Sequence, residues 1–112
     1  PPVKRIGYLE AGPFWLFDNT WSAFRDGMGK HEDMRCEYPA DARLSPGWQP
    51  EQMRRLPELA KQLLQRKDLD LVVGMGTAAV KALEDLSIVT EMTGQKKNRS
   101  YSYQAYVELL SR

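Results

Sequence analysis

Gly74-Met-Gly-Thr-Ala-Ala79 is the stretch best suited to chemistry. It stands between a short apolar run, Leu69 and Leu71 to Val73, and a series of strong helix formers, Ala78 to Leu83. Two glycines let the backbone turn where a side chain would clash, and Thr77 is read as the N-cap of the following helix. Such a helix start carries unpaired N–H groups and the positive end of the helix dipole, which suit an anionic or polar ligand group. The spacing also matches the G-x-G-x-x-[GA] dinucleotide fingerprint. In dinucleotide-binding folds, however, that motif follows the first strand, and here it follows the third. The acidic residue required at the end of the next strand has no good equivalent, because Glu91 falls inside a candidate strand.

The other reactive side chains are scattered. Glu10, Asp18 and Asp41 are expected near the carboxyl edge of a sheet, but two-carboxylate catalysis needs a geometry that spacing alone does not supply. Arg43 has the fork to pair a carboxylate or phosphate, or a salt bridge to Asp41 or to the next helix. His31 lies in a polar His-Glu-Asp turn with no second His or Cys nearby, which predicts a solvated surface residue rather than a metal ligand. Cys36 is the single cysteine, so neither an intrachain disulfide nor a cysteine-only metal cluster is available. No Ser–His or Cys–His set stands out. No enzyme active site, cofactor or metal centre is expected from these residues.

These residues must be positioned by a run of strand–helix units. Val3 to Leu9 reads as a first strand, ended by Gly12-Pro13. Phe14-Trp-Leu-Phe17 follows where a loop or first turn is expected, and those rings serve either as core or as the aromatic wall of a cleft. Asp18, Asn19 and Thr20 offer N-caps for a helix to about Lys30, with Phe17, Trp21, Phe24 and Met28 on one face. Met34 to Tyr38 alternates as a short second strand. Pro39 to Pro50 is a long irregular segment of the kind that often carries function, with Arg43, Ser45 and Trp48 able to reach a ligand; Trp48 has the alternative of pinning the loop to the core. A helix begins near Gln49, with Met53, Leu56, Leu59, Ala60, Leu63 and Leu64 as its stripe, and Pro57 must kink or restart it. The third strand and its helix come next. Ser87 to Thr93 is a candidate fourth strand, Gly94 to Arg99 a basic turn, and Tyr103, Tyr106, Val107 and Leu110 one face of a terminal helix. Successive units of this kind predict an α/β fold with a parallel sheet and right-handed crossovers.

Composition sets the outer bounds. The chain has 112 residues and a formal net charge of +1, enough for a single α/β domain and without the basic footprint of a nucleic-acid or membrane-surface binder. No run approaches the roughly 20 apolar residues of a membrane span, and no signal peptide is read. The opening Pro1-Pro2, close before a strand, fits a trimmed or mature terminus.

Three blocks carry a resemblance: Lys4 to Trp15 (KRIGYLEAGPFW), Tyr38 to Trp48 (YPADARLSPGW) and Asp70 to Leu83 (DLVVGMGTAAVKAL). Together they look like the amino-terminal part of an exported substrate-binding protein of an ABC-type importer, of the poorly characterised group with the type I periplasmic-binding-protein fold. The resemblance covers about residues 3–86, with 87–112 a divergent tail. It implies a three-layer αβα lobe with a flavodoxin-like sheet of about four strands, order near 2-1-3-4. It also implies a hinge-closed second lobe, an extracytoplasmic location, a small-molecule solute, and an ABC permease as partner of the full-length relative. In similar proteins the loop after the first strand and the Gly-Thr turn after the third face the ligand. That nominates Glu10, Ala11, Gly12, Phe14 and Trp15, with Gly76, Thr77 and Ala78, and less directly Ser45 and Trp48. A sheet left incomplete favours homodimers through an exposed edge. The alternative expectation is a flavodoxin- or receiver-like signalling or nucleotide-binding domain. A receiver, though, wants an acidic pair after its first strand and a phosphorylatable Asp after its third, where this chain has Glu10 alone and Gly-Met-Gly-Thr.

Overall fold

The structure, a computed structural model, describes residues 2–92 and 100–102. In chain order the elements are β1 (Val3–Glu10), α1 (Trp15–Gly29), β2 (Arg35–Glu37), a 3-10 turn (Ala40–Ala42), β3 (Arg43–Leu44), α2 (Pro50–Met53), α3 (Leu56–Gln65), β4 (Leu71–Met75), α4 (Thr77–Met92) and β5 (Ser100–Ser102). The sheet is open, in the order β2-β1-β4-β5, with β3 also against β1. Every pairing among the described strands is parallel. β2 pairs the start of β1 at Val3 to Arg5, and β3 pairs its end at Tyr8 and Leu9. The two are successive pieces of one edge, interrupted by the 3-10 turn.

The central strands are buried because both their faces are covered. Side chains alternate across a strand, so Ile6, Tyr8, Leu71, Val73 and Met75 meet Trp21, Phe24 and Met28 of α1 on one face. Leu9 and Val72 point the other way, into a cluster with Leu56, Leu59, Ala60 and Leu63 of α3 and Ala79, Ala82 and Leu83 of α4. The spacing of three and four along α1 and α3 is what aligns each set on one helical face. Burying one such Leu, Phe or Met side chain contributes roughly 1.5–3 kcal/mol. The long segment after Gln49 is two helices rather than one. α2 ends at Met53 and α3 restarts with Pro57 in its first turn, where the missing N–H costs nothing.

Several sequence expectations need correction. The strand expected over Ser87 to Thr93 is helix as far as Met92, because no Gly or Pro interrupts the chain between Thr77 and Met92; Thr93 lies outside the described residues. The strand beyond α4 is β5, paired to β4 at Val72 to Gly74. The first helix does not wait for Asp18 to Thr20; it starts at Trp15, directly after Pro13 and Phe14, with Phe14 at the N-cap and no side-chain cap. Thr77 is the first helical residue rather than the cap. The Gly76 carbonyl accepts the first helical hydrogen bond, from the Val80 N–H at 3.0 Å. Gly74 lies inside β4, where Val80 and Leu83 of α4 pack against it. The expected turn at Gly94 to Arg99 and the terminal helix around Tyr103 to Leu110 lie outside the described residues.

The turn between β4 and α4 depends on Gly76. Its φ is +88°, and a Cβ built there would stand 2.7 Å from Cζ of Phe17. Gly76→Ala is therefore expected to destabilise the fold by about 1–3 kcal/mol, from left-handed strain plus displacement of the Phe17 ring. Urea unfolding should show a lower midpoint with an unchanged slope; an unchanged midpoint would refute the packing described here.

Candidate functional site

β1 connects through α1 to β2 on one side of the sheet, and β4 connects through α4 to β5 on the other. The strand order therefore reverses between β1 and β4, and the helices that follow them cover opposite faces. Crevices of parallel α/β sheets open at such a switch point, outside the carboxyl ends of the strands. Here an open groove of about 690 Å³ lies between the first turns of α1 and α4. Met75 and Gly76 are at its base, with Leu16, Phe17 and Thr20 on one wall and Thr77, Lys81 and Glu84 on the other.

Glu10 ends β1 and is the one buried charged residue among the described residues, at 4% exposure. Alternation along β1 puts it on the same face as Tyr8, whose hydroxyl donates to Glu10 Oε1. The Ser45 hydroxyl donates to Oε2 at 2.8 Å. Burial, with that carboxylate accepting its proton, pushes the Tyr8 phenol far above its ordinary value. The Arg43 guanidinium lies 5.5 Å over the Tyr8 ring and reaches Asp18 on α1 at 3.4 Å. Tyr8, Glu10, Ser45, Arg43 and Asp18 thus form one network at the carboxyl edge of β1. Glu10 ties this network together, with Tyr8 on one oxygen and Ser45 on the other.

The same edge gathers the next nominated residues. Ala11 is buried, and its carbonyl accepts the Gly47 N–H at 2.6 Å. Trp48 lies against Gly12 and donates its indole N–H to the Pro13 carbonyl at 2.7 Å. The loop after β1 and the Ser45 to Trp48 loop are therefore one unit. Phe14 and Trp15 are exposed at 38% and 67%, so the burial that large rings usually find is absent there. They stand in a row with Phe17 and Trp48: Phe14 lies 5.7 Å from Trp15 and 5.1 Å from Phe17, and Phe17 lies 6.1 Å from Trp48. Phe17 also touches Gly76, which makes it the piece that joins the Trp48 loop to the β4–α4 turn. Gly76 and Thr77 line the groove, and Ala78 is half-buried beside them.

Spacing pointed to the loops and to Phe14 to Phe17 as a possible cleft wall, of which Leu16 and Phe17 line the groove, but it missed Tyr8. Tyr8 and Glu10 stand two apart on a strand, so their shared face was a usable signal. Asp41 lies elsewhere than expected. It pairs with Arg66 at 3.1 Å, among the charges that precede β4 at the opposite edge of the sheet. The salt bridge from Arg43 runs to Asp18 instead. At that opposite edge Arg66 also holds Asp68 at 2.7 Å and draws its carboxyl down to about 2. His31 is exposed. Among the described residues no group of three or more His, Cys, Asp or Glu is placed to hold a metal, and no helix is long and apolar enough to cross a membrane.

The Tyr8 phenol sets a pH dependence. Above pH 10.0, the ordinary value, a tyrosine in the unfolded chain ionises while folded Tyr8 keeps its proton. Its contribution is complete below pH 10 and is lost as pH rises beyond it, by roughly 1.4 kcal/mol per pH unit. In Tyr8→Phe the loss of unfolding free energy between pH 8 and pH 11 should be smaller than in the parent chain. At pH 8 the variant should be less stable by about 1–3 kcal/mol, because Glu10 loses a buried donor. Urea titrations at the two pH values measure both effects. The chain matches no protein-family model, no curated protein and no solved structure, so the site is read from its own geometry.

Proposed function

We propose that this chain is a solute-binding module, resembling part of the first lobe of the substrate receptor of an ABC-type importer, and that it receives a small polar ligand at the carboxyl edge of its sheet. The observation that carries this reading is the convergence of three loops at the switch point. The Gly76-Thr77 turn and the start of α1 line an open groove, and the β1–α1 loop and the Ser45 to Trp48 loop, bonded to each other, adjoin it through Phe17. A flavodoxin-like three-layer lobe would place its ligand there. The first turn of α4 adds backbone donors beside the exposed Thr77 hydroxyl. A second lobe closing by a hinge, a permease partner, pairing of copies through a sheet edge and an extracytoplasmic location all belong to this proposal. Nothing at the site favours the receiver-like alternative, because Glu10 is engaged by Tyr8 and Ser45 and no acidic residue ends β4.

A thermal-shift screen of amino acids, nucleosides, sugars and phosphates tests the reading. A ligand at a hundred times its Kd should stabilise the native chain by about 2.7 kcal/mol and raise the melting temperature accordingly. Thr77→Val should weaken that response several-fold, while Lys61→Ala on the exposed side of α3 should leave it intact. A panel with no responding solute, or a response untouched by Thr77→Val, would remove the groove from consideration.

A further inference from the structure

Trp48 is held in an unusual way for an exposed ring. A Cβ built on Gly12 would lie 2.6 Å from Cδ1, 2.7 Å from Nε1 and 2.8 Å from Cγ. Near-equal distances to three consecutive atoms place Gly12 against the face of the five-membered ring, not at its edge. Only a glycine lets the backbone come so near. The indole N–H is already spent on the Pro13 carbonyl. Phe17 stands beside the ring, tilted by 35°. With one face of the five-membered ring covered and its donor satisfied, Trp48 still keeps 49% of its surface exposed. The ring is thus immobilised as a platform before any ligand arrives, which lowers the ordering cost of stacking on it.

Charge around the platform is cancelled locally. Glu10 accepts from Tyr8 and Ser45, and Arg43 is matched by Asp18 and by the Tyr8 ring. A charged group laid on Trp48 would lose hydration, and neither Glu10 nor Arg43 beside it is left unpaired to compensate. A bound cation would prefer two or more ring faces around one point. Here the rings run in a row, Trp48 to Phe17 to Phe14 to Trp15. Resting on the solute-binding reading above, we infer that the ligand is an uncharged molecule with a flat ring, stacked on the open face of Trp48. The shared chemistry covers both a neutral heteroaromatic ring and the C–H face of a sugar.

Titration with adenosine, D-galactose, choline and inorganic phosphate tests this, followed by calorimetry and by the indole 1H–15N resonances. One of the two neutral probes should saturate and shift the Trp48 indole resonance, leaving that of buried Trp21 in place. Its affinity should fall at least tenfold in Trp48→Ala and only a few-fold in Trp48→Phe, which keeps an aromatic face. The resonance shift needs no substitution, so it decides the question even if Trp48→Ala unfolds. Adenosine binding alone identifies a heteroaromatic ring, and galactose binding alone a sugar. Saturation by choline or phosphate but by neither neutral probe would overturn the ligand class and leave the solute-binding reading intact. Silence of all four probes with a response only to a charged or ringless solute in the wider screen overturns it likewise, a response there to another neutral ring that shifts the Trp48 resonance supports it, and silence in that screen as well removes both. Self-association that Trp48→Ala abolishes would mean that a second copy covers the ring, and would also overturn it.

Discussion

A carboxylate buried at the end of β1 is the constraint on which the functional edge depends. Glu10 leaves water at a cost that is tolerable only if hydrogen-bond donors surround it. One donor comes from its own strand, two residues back, and the other from Ser45, brought in from thirty-five residues away. The second bond fixes the position of the long irregular segment. Once Ser45 is tied down, Gly47 reaches the Ala11 carbonyl and Trp48 comes to lie on Gly12. A loop that composition alone would leave free becomes the continuation of a strand end.

The sheet supplies the frame for that arrangement. Because β1 and β4 send their helices to opposite faces, the carboxyl edge between them is left open, and the residues there need not be apolar. At the other edge charges dominate: Arg5 bonds Glu37, and Arg66 bonds Asp41 and Asp68. These pairs are partly exposed and contribute little stability each. They keep that end of the molecule polar, while the rings Phe14, Trp15 and Trp48 collect at the opposite end.

Much of this was legible in the residues. The apolar runs of β1 and β4 and the three-and-four spacings of Trp21, Phe24 and Met28 and of Leu56, Leu59 and Leu63 report burial directly, so an open parallel α/β sheet follows from them. Helix starts were less legible. Thr77 and Asp18 are good caps by type, yet a glycine precedes one helix and an uncapped phenylalanine the other, because proline and positive φ decide where a chain can turn. Ser87 to Thr93 misled for a related reason: β-branched residues lower helix propensity only slightly, and a helix already begun adds residues at little cost. Of the site, the loops could be named, but not the role of Glu10. Whether a carboxylate faces a ligand or a Tyr–Ser pair depends on contacts far apart in the chain.

The broken edge beside β1 has a consequence for solubility. A strand arriving from another molecule would meet three residues of β2, then a 3-10 turn, then two residues of β3. No continuous ladder of main-chain hydrogen bonds can grow along so short and irregular a border, and the outermost rungs carry the charges of Arg35 and Glu37. On that side the molecule is a poor seed for fibrils. The 3-10 turn guards that one edge against stacking with other copies of the chain.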